Sequence, residues 1–100
     1  TPVAAAPGSG VVFTYPNPFD MRLYQKITIR FQPTTAATVQ IFNLLGEPVC
    51  TLSDNDIYPG KGWAIWNGVD DYGRMIVGGL YFVRVKVPDG VLVRKFTVLH

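Results

Sequence analysis

Histidine is nearly missing from this 100-residue chain: one occurs, His100, at the last position. Nucleophilic catalysis by Ser, Thr or Cys needs a base beside the nucleophile, and a lone terminal imidazole assembles no triad. Cysteine is as scarce. Cys50 stands alone, which excludes an internal disulfide and a cysteine-based metal site, and it reads as a small buried hydrophobe. One His and one Cys also fall short of the three ligands of a hydrolytic zinc site. There is no GxxxxGK[ST] phosphate loop, because the glycine-rich run from Gly68 to Gly79 has other spacing and leads into a strand. Apolar runs stay short of the roughly 20 residues a membrane helix needs, so no membrane insertion is expected. Charge of one sign is never concentrated. Nine Lys and Arg and seven Asp and Glu alternate without blocks, giving a net charge of +2, and nucleic acid binding is not suggested.

What is present is apolar: 48% hydrophobic and 13% aromatic residues, enough for one core and one domain. Residues 1–10, TPVAAAPGSG, carry Pro, Gly and small residues without periodicity and read as a linker or flexible N-terminal segment. The start at Thr1 rather than Met, without a signal peptide, fits a piece of a longer protein. Residues 11–100 form the expected domain.

Period-two alternation recurs through those residues, and no segment sustains helical spacing over the length a helix requires. Strands are expected over Val11–Tyr15, ended by Pro16 and Pro18, and over Lys26–Gln32 with Ile27, Ile29 and Phe31 inward. Thr38–Phe42, with Val39 and Ile41 inward, closes a hairpin onto Val49–Leu52. Pro59 and Gly60 fit the centre of a type II turn ahead of Trp63–Asn67. Leu80–Val87 and Val91–Leu99 form the last hairpin, and Gly90 suits a left-handed bulge position after Pro88-Asp89. The result is an all-β chain, an immunoglobulin-like β-sandwich of about seven antiparallel strands.

Paired carboxylates are the nearest approach to a chemical site. Asp54 with Asp56, and Asp70 beside Asp71, read as turn caps; structural calcium is the alternative, and no cofactor is otherwise expected. No catalytic residue is assigned. For partner contacts the candidates are Trp63 and Tyr72, as exposed aromatics, and the basic set Arg84, Lys86, Arg94 and Lys95 of the last hairpin. Trp63 and Trp66 lie on opposite faces of their strand, so at most one joins the core with Ile65. The last strand is apolar on both faces, with Val91, Val93 and Leu99 on one and Leu92, Phe96 and Val98 on the other. Either a neighbour covers it or it is central in its sheet.

Four motifs occur in order over residues 15–99: Tyr15-Pro16-Asn17-Pro18-Phe19, Gly46 within Asn43–Val49, Trp66–Arg74, and Gly79-Leu80-Tyr81 before the basic, apolar last strand. Together they resemble the Ig-like domain family of the flagellar hook-capping protein. Asn67 departs from the Asp commonest in the third motif. C-terminal sorting domains of type IX secretion share the first and last motifs. The resemblance implies that Trp66 faces inward. It also implies a non-enzymatic accessory module, at or near the C-terminus of a secreted or surface bacterial protein, serving as spacer, assembly, attachment or sorting domain. Its partner would be a neighbouring domain of the same parent chain or another extracellular protein. Two alternatives are a carbohydrate-binding module holding polysaccharide on Trp63 and nearby tyrosines, and a hook-cap scaffold domain of flagellar export.

Overall fold

A computed structural model describes residues 12–100. The linker expected over residues 1–10, and Val11, lie outside the described residues. The strands are β1 (Phe13–Tyr15), β2 (Phe19–Asp20), β3 (Ile27–Arg30), β4 (Thr38–Asn43), β5 (Pro48–Thr51), β6 (Ile57–Tyr58), β7 (Trp63–Trp66), β8 (Gly79–Val87) and β9 (Gly90–Leu99). They build two layers, ordered β1-β3-β7-β6 and β2-β9-β8-β4-β5. That arrangement is the strand order of an immunoglobulin-type sandwich, with one additional edge strand and a first strand divided between the layers.

Among the described residues nine strands replace the seven expected: the division adds β2, and the two-residue β6 is the other. Pro16 and Pro18 have no N–H to give a ladder, so the chain leaves β3 after Tyr15 and crosses to the other layer. There β2 pairs with β9 in parallel, Phe19 opposite Val98, which corrects the expectation of antiparallel pairing throughout.

Alternation places the core as the sequence implies. Ile27, Ile29, Val39, Ile41, Val83 and Val85 are fully buried between the layers. Phe19 is fully buried, its ring centroid 6.4 Å from Trp66, and Trp66 meets Phe96 edge-on at 6.2 Å. Removing such a buried aromatic ring costs about 3–5 kcal/mol. The Trp66 indole Nε1 donates to the Val69 carbonyl at 2.9 Å, and this bond fastens the glycine-rich loop to the core. Tyr81 is buried, and its hydroxyl donates to the Val77 carbonyl at 2.7 Å, the bond of a tyrosine corner.

Three local expectations are corrected. The positive φ near Pro59 falls at Gly62 (+81°) and not at Gly60, so a short 3-10 turn over Pro59–Lys61 replaces the type II turn. Gly62 must be bare, because a Cβ there would stand 2.5 Å from the Phe31 carbonyl oxygen. The last hairpin turns through Pro88-Asp89 with Val87 opposite Gly90, and its register holds unbroken to Gly79 opposite Val98 without a bulge. On β7 the core position beside Trp66 belongs to Ala64, while Ile65 and Trp63 share the outer face, half-buried.

Candidate interaction surface

The residues singled out from sequence fall in four places. Arg84 and Lys86 leave the outer face of the five-stranded sheet, and Lys95, opposite Phe82, joins them there. Directly opposed residues of an antiparallel pair share a face, so Leu80, Phe82, Val91, Val93, Thr97 and Leu99 complete this surface. Val93 is 59% exposed and Val91 46%, and Leu80 and Leu99 are also exposed. Neither strand carries an acidic residue. Arg84 Nη1 donates to Gln40 Oε1 at 3.2 Å, and among the described residues no ion pair neutralises these cations. The face is thus an apolar stripe edged by positive charge.

Arg94 does not belong to it. Its backbone stands opposite the buried Val83, so its side chain leaves on the inner side and lies over the Phe13 ring at 5.7 Å. That contact bridges the two layers where β1 passes the edge of β9.

Trp63 sits on the other outer face, in a row that crosses the four-stranded sheet: Phe13 opposite Arg30, Arg30 opposite Trp63, and Trp63 opposite Tyr58. The Arg30 guanidinium lies 5.6 Å from the centre of the indole, and Tyr58 meets Trp63 edge-on at 6.5 Å. Both neighbours occupy the ring, so it is not the bare platform that the carbohydrate alternative pictured. Phe13 and Arg30 escaped sequence reasoning, since each follows ordinary strand alternation and only the register lines them up with Trp63.

Tyr72 stands apart at the tip of the glycine-rich loop, 83% exposed, with the Arg74 guanidinium 5.1 Å from its ring. Asp70 shapes that loop: Oδ1 accepts from the Tyr72 and Arg74 amides, and Oδ2 from Arg74 Nε at 3.2 Å. These donors, the Arg74 amide first, hold the Asp70 carboxyl below its usual range against the opposing effect of burial. Asp71 Oδ1 accepts from the Thr51 amide, while its own amide donates to the Val49 carbonyl. Both carboxylates therefore cap backbone. Together with Cys50 and Trp66 they border a shallow cleft of about 400 Å³. Burial, reinforced by Asp71, pushes the Cys50 thiol up to about 11, so it stays protonated and unreactive near neutral pH. Among the described residues no group of three or more His, Cys, Asp or Glu side chains is placed to hold a metal ion. Nor is any helix among them long and apolar enough to cross a membrane.

These features define a class: a two-layer β-sandwich whose distinctive outward features are an apolar, basic sheet face and an aromatic-cation row. No protein-family profile matches the chain, and no curated protein does. The hook-capping likeness accordingly stays a likeness of motifs. Among solved structures the chain is similar to PorZ, an essential bacterial surface component of the type IX secretion system of human oral-microbiomic Porphyromonas gingivalis. The TM-score is 0.69 at 23% identity, over 89% of this chain and 11% of that one. Dimeric latent PorU from the same organism gives a TM-score of 0.59 at 24% identity, over 90% of this chain and 9% of that one. Likeness at such identity establishes the fold. The chain spans about a tenth of the length of either protein.

Proposed function

We propose that this chain is a non-enzymatic β-sandwich module of a bacterial secreted or surface protein, and that it docks a neighbouring domain through the outer face of β8 and β9. The observation that carries the reading is the exposed stripe of Leu80, Val91, Val93 and Leu99, edged by Arg84, Lys86 and Lys95 with no acid on either strand. Contiguous apolar surface edged by polar groups is the mark of a protein contact. The same fold as a small part of PorZ and PorU supports an accessory role beside larger partners, and it supports a place at the surface linked to type IX secretion over the flagellar one. Support for a non-enzymatic role comes from the carboxylates: Asp70 and Asp71 are spent on backbone caps.

The test pairs Leu80→Ser with Val93→Ser, both outward. In the isolated chain the double variant is expected to change unfolding stability by less than about 1 kcal/mol, as exposed positions do. In the parent protein it is expected to detach the module, which then melts separately from its neighbour. Unchanged joint melting in the parent overturns the proposal.

A further inference from the structure

The two edges of the five-stranded sheet are treated differently. On β5 the edge is closed: Pro48 has no N–H to offer, the Val49 carbonyl accepts from the Asp71 amide, and the Thr51 amide donates to Asp71 Oδ1. On β9 only the end is closed. β2 pairs at Val98 and Leu99, Met21 donates its amide to the Leu99 carbonyl at 2.8 Å, and the Thr97 amide donates to Asn17 Oδ1 at 3.3 Å.

Those bonds fix which backbone groups face outward from the sheet. Thr97 and Leu99 address the β2 side, and a strand without a bulge repeats every second residue, so Val91, Val93 and Lys95 direct their N–H and C=O groups to the same side. Among the described residues no strand pairs there. The remaining sheet edges, β1 and β6, are three and two residues long. The open stretch of β9 is therefore the longest unpaired template in the described fold.

Charge selects what can use it. Lys95 stands on the outer face of the open stretch and Arg94 beside it on the inner side, over Phe13, while Arg84 and Lys86 stand on the adjacent strand. Neither strand has an acid, and the turn that joins them carries one, Asp89. A second copy pairing through β9 would bring two such clusters together, and directly opposed like charges destabilise a sheet. We infer that the edge from Val91 to Lys95 accepts one extended, carboxylate-bearing segment of another polypeptide, added as a strand in line with β2. Backbone pairing supplies affinity, and the cations exclude the copy and admit the acidic strand. This goes beyond the docking reading above, since it concerns the backbone edge of β9 and a separate occupant.

The two separate experimentally, because edge pairing runs through backbone amides and face docking through side chains. The probe is a capped ten-residue peptide of alternating Val and Glu, with the alternating Val and Lys peptide as control, added to the whole chain and read by fluorescence anisotropy and amide hydrogen exchange. Binding of the Glu peptide is expected to slow exchange of the Val91, Val93 and Lys95 amides, with the Lys peptide binding at least tenfold more weakly. Val93→Pro removes one outward N–H while leaving the bonds to β8, and is expected to weaken the Glu peptide at least tenfold in a chain that circular dichroism shows folded. Val91→Pro serves as the second variant should that one unfold. Failure of the Glu peptide to bind, binding without protection of those amides, or self-association of the chain in sedimentation would each overturn the inference. Val93 also contributes a side chain to the face, so Val93→Ala, which keeps the N–H, is the control and is expected to bind the Glu peptide as the unchanged chain does. The face has its own test in the joint melting of the Leu80 and Val93 serine pair.

Discussion

Gly62 and Gly46 share one backbone conformation, φ +81° and +83°, but differ in surroundings: a Cβ on Gly46 meets nothing within 4 Å, whereas on Gly62 it stands 2.5 Å from the Phe31 carbonyl oxygen. Comparing their alanine variants therefore separates the cost of the left-handed conformation from the cost of the close approach. The first is about 1–2 kcal/mol for a residue with a Cβ. The second adds about 1–3 kcal/mol, the range for forcing atoms into filled space. It is not relieved by rotating a side chain, because the obstacle is backbone in the ladder where the Phe31 amide donates to the Gly62 carbonyl at 2.9 Å. Gly46→Ala is expected to lose about 1 kcal/mol and Gly62→Ala about 3, a difference of roughly 10 °C in Tm for a domain of this size. Urea and thermal unfolding of both variants measure it. Equal losses, within about 0.5 kcal/mol, would refute the claim that the Gly62 and Phe31 backbones approach as closely as described.

Further outcomes follow from individual side chains. Tyr81→Phe keeps the buried ring and loses the hydroxyl bond to Val77, leaving that carbonyl short of a donor, so urea unfolding should show a loss of about 1 kcal/mol. Cys50, with its thiol raised to about 11 by burial, should react with a disulfide reagent near neutral pH only as fast as the chain opens, and at once in denaturant. Asp20, whose carboxyl Arg22 holds below 3.8, stabilises the fold above that pH and loses the contribution as pH falls through its folded value; Asp20→Asn should flatten the acid limb of unfolding stability measured from neutral pH downward.

Much of the core is legible in alternation alone. Ile27, Ile29 and Phe31, then Val39 and Ile41, then Val83 and Val85 each point inward because period two leaves them no other face once one of them is buried. The parallel pairing of Phe19 with Val98 is not legible that way, since it joins segments far apart in sequence and neither local pattern encodes its partner. Glycine content near Pro59 announced a turn but not its form: which glycine takes positive φ is decided by the Phe31 backbone across the sheet. The candidate surface was legible in half. Arg84 and Lys86 share a face by spacing, but that Lys95 joins them and Arg94 does not depends on the register of β9 against β8. Ile65 shows the limit of composition, because its apolar side chain faces outward while the smaller Ala64 takes the buried position.

Hydroxyl-radical footprinting of the isolated chain and of the parent protein tests the docking claim most directly. Leu80, Val93 and Leu99 are expected to label readily in the isolated chain and to be protected in the parent, with the loop-tip Tyr72 labelled equally in both. Equal labelling of all four in chain and parent would contradict the account.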